Sequence, residues 1–339
     1  MENRKNKFVE LEDGGGGEKS SALISEIRKF FPVSKKWKNT EDDGAVYDLG
    51  RDAINRVSTG ADKLVFTTDA FIVDPIFFPG GDIGKIAICG TINDLSVMGA
   101  VPIGISLSLV IEEGFPESDL KKIMQSIGKI SRETGVPIVT GDTKVTEKGK
   151  IDKIEITTSG VGMASKIIEN GGAKAGDVII ASGNLGEHAV ALLASRFNYR
   201  TKIKSDCQAV TAEIQSILPY LTSCKDPTRG GVAAVLNEMA EKSKTRFVLE
   251  ENNLLFAKET IALSGLLGID KFSFPSEGRF VGTVAKKDAE KVIKILGKFN
   301  KEAKIIGVVL KGNGVWLKTK LGSEKKIEVP RGKLIPRIC

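Results

Sequence analysis

The chain has 339 residues, 41% hydrophobic and 27% charged, which suits a packed core spread over two domains. Its formal charge of +7 comes from 50 basic and 43 acidic residues that interleave; Lys35-Lys36-Trp37-Lys38 and Lys318–Lys326 read as solvated faces, which argues against nucleic acid and suits an anionic substrate such as a nucleotide. No apolar run nears the ~18 residues that cross a membrane, and polar Met1–Lys7 lacks a signal core, so a cytoplasmic location is expected.

Residues 1–12 form a polar extension ahead of the glycine run Gly14–Gly17. Leu23, Ile24, Ile27, Phe30 and Phe31 recur at helical spacing and predict a helix over Ser20–Phe31. Strands follow at Ala45–Leu49 and Leu64–Thr68, then a proline-glycine loop, Asp74–Gly84, and a helix near Lys85–Met98. The apolar residues Ile76-Phe77-Phe78 in that loop suggest a packed functional loop or a subunit interface. Ile103–Ile111 reads as a strand, Glu117–Thr134 as an amphipathic helix, and Pro137–Thr140 and Ile154–Met163 as strands. The turn formers of Asn170–Gly176 mark the expected boundary between a domain of 13–169 and one of 170–329. The second domain has strands at Val178–Ser182, Arg279–Ala285, Lys304–Leu310 and Gly314–Lys318. Its helices fall at Glu187–Arg196, Gln208–Leu218, Thr228–Lys242 and Asp288–Phe299. Strict βαβ alternation is missing, so the class is α+β. The tail, 330–339, holds two prolines and no periodicity, which predicts an extended, mobile arm.

Phosphate chemistry here cannot rest on a Walker loop, because Glu18 separates the glycines of GGGGEKS from Lys19. Carboxylates gripping Mg²⁺ are the other route, since Mg²⁺ takes hard oxygen ligands. Asp43, Asp69, Asp142 and Asp226 lie where predicted strands meet loops, and Asn93-Asp94 sits inside an apolar helix where an unpaired charge is costly. Gly16 and Gly17, ahead of a helix, are candidates for offering backbone N–H groups to phosphate. One histidine, His188, cannot build a His-based metal site or triad alone, and Cys89, Cys207, Cys224 and Cys339 show neither CxxC nor zinc spacing. Cys89, Cys207 and Cys224 read as packing or incidental. Terminal Cys339 differs: its tail is flexible, a chain end carries a covalent group with least constraint, and Arg331, Lys333 and Arg337 favour thiolate.

Several segments together are similar to the HypE family of hydrogenase maturation factors. They are Thr67-Thr68-Asp69 through Pro79-Gly80-Gly81, Gly84–Thr91, Asn93-Asp94, Thr140–Val145 (TGDTKV), Asp226–Gly231 (DPTRGG), Ser276-Glu277-Gly278 and the closing Pro336-Arg337-Ile338-Cys339. The resemblance runs from about residue 13 to the end. It departs at Asp13, where the family commonly has His. The wider superfamily includes aminoimidazole ribonucleotide synthetase, selenophosphate synthetase and thiamine-monophosphate kinase. It implies two α/β domains, an N-terminal ATP-binding domain that also forms a homodimer interface, and Mg²⁺ held by aspartates.

By that resemblance, Asp43, Asp69, Asp94, Asp142 and Asp226 become metal ligands, and Asn93, Lys85, Gly16 and Gly17 help hold ATP. Lys144 and Glu277 work on the modified Cys339. A carbamoyltransferase, HypF, loads that sulfur. ATP-dependent dehydration turns the carbamoyl group into a thiocyanate, and the cyano group passes to iron on a HypC–HypD complex. A sister synthetase or small-molecule kinase, or a thiol carrier without catalysis, are the alternatives.

Overall fold

The computed structural model describes residues 17–30, 36–49, 61–330, 335 and 337–339. In chain order the first half runs α1 (Gly17–Arg28), β1 (Trp37–Lys38), β2 (Ala45–Asp48), β3 (Lys63–Phe71), β4 (Phe77–Phe78), β5 (Gly81–Asp82), α2 (Ile83–Val97), β6 (Val101–Glu112), α3 (Glu117–Thr134), β7 (Ile138–Thr146) and β8 (Ile154–Ala164). The second half runs β9 (Asp177–Ala181), α4 (Glu187–Arg196), α5 (Thr211–Ile217), β10 (Leu221–Lys225), α6 (Gly231–Ser243), β11 (Thr245–Glu250), α7 (Lys258–Leu267), β12 (Val281–Ala285), α8 (Ala289–Leu296), β13 (Lys304–Lys311), β14 (Gly314–Lys318) and β15 (Glu324–Ile327). Among the described residues, no helix is long and apolar enough to cross a membrane.

The first sheet has the order β1-β2-β3-β8-β6-β7, and only β6–β7 is parallel, joined through α3. Strand β8 alternates buried and half-buried residues along its length, the period-two signature of a sheet covered on one face. That face receives α2 and α3. Helix α2 is buried on all sides except at Lys85 and Asp94, while α3 buries only the stripe Ile123, Ile127 and Ile130. Helix α2 lies close to the sheet because Gly160 offers no side chain: a Cβ there would come within 2.6 Å of Thr91. The uncovered face exposes Phe66, Val101, Ile103 and Val139.

The second sheet has the order β10-β12-β9-β13-β11-β14-β15, antiparallel except for β11–β14. All five residues of β9 are buried, because two separate clusters lie against this sheet, one with α6 and one with α5 and α8. This is the α+β architecture expected, with several corrections. Strands β10, β11 and β15 and helix α7 were not predicted, and β7 runs on through Asp142 and Lys144 to Thr146. Helix α6 starts after Pro227 and the left-handed Gly230, not at Thr228.

The apolar loop is not an outward surface. Ile76 and Phe78 are buried in the chain's own largest cluster, so the expected subunit interface around Ile76-Phe77-Phe78 is corrected. Ile335 and Ile338 of the tail join that same cluster, so the described end of the tail is docked. Asp13, Gly16, Arg331 and Lys333 lie outside the described residues.

Candidate active site between the two sheets

A cleft of about 710 Å³ opens where β3 and α2 meet the loop after β10. Four carboxylates converge there from distant parts of the sequence. Asp43 comes from the turn before β2, Asp69 from β3, Asp94 from α2 and Asp226 from the end of β10. Ligand atoms of Asp43, Asp94 and Asp226 lie within 4.8 Å of one another. Thr67, two residues before Asp69 and on the buried side of β3, donates to Asp94 Oδ2 at 2.8 Å.

Like charges gathered away from water raise one another's proton affinity. Burial is the largest cause at all four carboxyls. Asp94 is pushed well above the usual carboxylate range by burial, then by Asp69, Asp226 and Asp43. Asp226 is pushed up to about 7, with Asp43 the next cause after burial. Among the described residues, two cations oppose this repulsion at close range. Lys225 pairs with Asp43 and lies 3.5 Å from Glu238, and these acids hold its proton firmly. Arg229 faces Asp69 and Glu277.

The arrangement fits a divalent cation. The donors are all hard oxygens, and buried Asp43 Oδ2 has no hydrogen-bond partner among the described residues. Asp43, Asp94 and Asp226 would hold Mg²⁺, with Asp69 beside them.

Glu277 and Cys339 line the same cleft. Glu277 is 3% exposed, and its backbone is fixed from both sides: its N–H donates to Asp206 Oδ1 at 2.9 Å, and its carbonyl accepts from Asn93 Nδ2 at 3.2 Å. Its side chain points toward the cleft, where Oε1 has no partner. Burial pushes its carboxyl well up, and Asp226, Asp206 and Asp69 push it further. The Cys339 thiol sits against that carboxylate. Burial and Glu277 push it well above the ordinary thiol range, against the pull of Arg229. The expected thiolate is therefore corrected for the docked tail. Arg337 instead pairs with Asp152 on the far side of its backbone.

Other expected site residues fall elsewhere. Asp142 and Lys144 stand exposed on the edge strand β7, outside this chain's cleft, paired with Ser108 and Val110 on the uncovered side of the sheet. Lys85 Nζ donates to the Gly80 carbonyl at 2.9 Å and lines a separate cavity of about 630 Å³. Asn93 is buried, and its amide is spent on backbone: Nδ2 donates to Gln208 and Glu277 carbonyls, and Oδ1 accepts from Val210 N–H. Through the Glu277 carbonyl it ties α2 to the loop that carries Glu277. Gly17 opens α1, whose Glu18, Ser21 and Ile24 line the cleft mouth.

Sequence reasoning assigned no role to Lys225, Arg229 or Thr67. Arg229 lay inside the DPTRGG segment. Its placement depends on the glycines that follow, where Gly230 and Gly231 have φ of 80° and 59° and a Cβ on Gly231 would meet the Phe272 carbonyl at 2.6 Å.

Two family models match the chain: AIR synthase related protein, N-terminal domain, over residues 41–164, and the C-terminal domain over 174–320. A hydrogenase expression/formation protein of Methanocaldococcus jannaschii is 41% identical over 336 residues, covering 96% of this chain and 98% of that protein. Carbamoyl dehydratase HypE of Cupriavidus necator is 37% identical over 348 residues, covering 99% and 96%. Among solved structures, a chain of the HypE–HypF complex superposes with TM-score 0.82 at 36% identity, over 91% of this chain and 100% of that one. HypE in complex with ATP superposes with TM-score 0.79 at 32% identity, over 97% and 99%. With both domains matched and relatives aligned from end to end, the chain belongs to the HypE family of carbamoyl dehydratases.

Proposed function

We propose that this protein dehydrates a carbamoyl group carried on its own Cys339 sulfur, at the expense of ATP, and delivers the product as a thiocyanate. The observation that carries the reading is the meeting of the terminal thiol, a buried carboxylate base and a metal-binding set of aspartates in one cleft. HypF is the proposed source of the carbamoyl group, because a solved relative is in complex with it. An iron-carrying HypC–HypD complex is the proposed acceptor, and the setting is the cytoplasm.

The chemistry follows from what each group can do. The carbamoyl oxygen is a poor leaving group until it accepts the γ-phosphoryl group of ATP. ADP departs, and the oxygen later leaves as part of phosphate. The nitrogen loses both protons as the C≡N bond forms. Glu277 accepts such a proton: it is desolvated, its Oε1 is free of protein partners, and its raised proton affinity makes it a strong base. Arg229, beside Cys339 and Glu277, offsets negative charge at the sulfur end and on the incoming phosphoryl oxygens. Mg²⁺ held by Asp43, Asp94 and Asp226 would neutralise charge on the transferring phosphoryl group, where most catalytic help in this reaction class arises.

We further propose a homodimer in which a second copy covers the apolar face bearing Ile103 and Val139, 51% and 64% exposed. Asp142 and Lys144 lie on that same edge strand, so they would act only across such a dimer. The central test is intact mass spectrometry after incubation with the carbamoylating partner. A carbamoyl adduct on Cys339 should convert to a cyano adduct only when ATP and Mg²⁺ are added. Conversion without ATP, or an adduct on another cysteine, would refute the proposal.

A further inference from the structure

His188 stands outside the carboxylate cleft, on α4, fully buried. A buried histidine that merely fills a core usually finds ordinary backbone partners of its own neighbourhood. This one ends a directed chain of hydrogen bonds on the tail. The Cys207 N–H donates to Ser205 Oγ at 3.1 Å. Ser205 Oγ lies 2.8 Å from His188 Nδ1, and His188 Nε2 lies 2.7 Å from the carbonyl of Ile338. A carbonyl only accepts, so Nε2 must carry the hydrogen. Nδ1 then accepts from the Ser205 hydroxyl, which leaves Ser205 Oγ to take the Cys207 N–H. Every donor and acceptor has one role, and the neutral ring is the form that satisfies them. Phe78 holds the ring edge-on, with centroids 5.3 Å apart at 85°.

A little over two turns along α4, Arg196 repeats the contact on the next residue but one from the sulfur. Its guanidinium donates to the Arg337 carbonyl at 2.9 Å and to the Asp74 carbonyl at 2.6 and 2.9 Å. The Asp74 N–H returns a bond to the Arg337 carbonyl at 3.1 Å. Two side chains of one helix therefore grip consecutive carbonyls, 337 and 338, immediately before the residue that carries the reacting sulfur.

We propose that His188, with Arg196 in support, is the positioning residue that seats the C-terminal thiol beside Glu277. It sets how the tail divides its time between this seat and the exterior. The inference rests on the proposed role of Cys339, which must be loaded outside and dehydrated inside. The seat is directional: it reads the backbone of Arg337 and Ile338 and leaves the sulfur free to carry a group.

The test is the rate at which a maleimide alkylates Cys339 in the full-length protein, followed by mass spectrometry, with Cys339→Ser as the blank. The other three cysteines are buried. His188→Leu leaves the Ile338 carbonyl without its donor in the docked state, and labelling should quicken about tenfold. His188→Gln, which keeps an amide N–H, should label close to the wild-type rate. Arg196→Met should quicken labelling about threefold to tenfold, and serves if His188→Leu folds poorly. Unchanged labelling in both His188→Leu and Arg196→Met overturns the proposal, as does equal quickening in His188→Leu and His188→Gln. Labelling reports the seat and not the chemistry. If the latch variants respond while wild type makes no cyano adduct with ATP, the proposed activity fails and the latch stands.

Discussion

Replacing Glu277 by Gln separates its chemical role from its structural one, because the two effects have opposite signs. The amide keeps the side chain's shape, and the backbone bonds to Asn93 and Asp206 are untouched. It cannot accept a proton, so the dehydration step should slow by about 10²–10⁴, the usual worth of a positioned general base. That is roughly 3–5 kcal/mol in the transition state. Stability should move the other way. The carboxylate is 3% exposed, crowded by Asp226, Asp206 and Asp69, and has one oxygen without a partner. A buried acid whose proton affinity is raised in the folded state destabilises that state at pH above its ordinary range. Removing the unpaired buried group should stabilise the metal-free protein by about 1–3 kcal/mol. Carbamoyl-Cys339 should accumulate by intact mass while denaturant unfolding at pH 7.5 shifts to higher midpoint. Turnover near the wild-type level would refute the base. A variant that loses both activity and stability would show that Glu277 serves packing alone.

Asp94→Asn should raise the midpoint of thermal unfolding without metal, since burial and three other aspartates disfavour its charge, and should abolish the upward shift that Mg²⁺ gives wild type. Glu213, buried on α5, has its carboxyl pushed up to about 7 from 4.5 by burial, against the pull of Arg279. Its unfolded form ionises first, so wild type should lose about 3 kcal/mol as pH rises from about 4.5 to 7, at 1.36 kcal/mol per pH unit; urea titrations of Glu213→Gln across that window should show a shallower loss. In subunit mixing, Asp142→Ala and Cys339→Ser proteins, each inactive alone, should recover cyano-adduct formation together. Recovery that survives Val139→Asp combined with Ile103→Asp would remove the dimer from the mechanism.

An aspartate at a strand end is most often a turn former or cap, so the carboxylates were legible chiefly through the family resemblance. Their meeting was not, since Asp43 and Asp94 meet only through the packing of α2 on the first sheet and Asp226 only through the docking of the second, and periodicity speaks of near neighbours. Asn93 shows the limit well. A polar residue inside an apolar helix looked like a ligand, and only the strand and loop packed against α2 reveal that its amide is used up by three backbone groups. Strand β11 and helix α7 escaped notice because charged and polar residues break their patterns, and β11 owes its place to pairing with β13 and β14. The tail gave no sign of its seat, because two prolines and no repeat describe the chain but not the groove that receives it.

Asn93 belongs to the first half of the molecule, and everything its amide grips belongs to the second. The same seam is stitched by Lys225 to Asp43, Lys242 to Asp42, and Ser96 to Thr211. A protein so fastened cannot open and shut like a jaw without tearing the base away from the aspartates. Traffic must therefore be borne by the last few residues alone. The two halves act as a stationary vessel, and the rhythm of turnover belongs to the short arm that enters and leaves it.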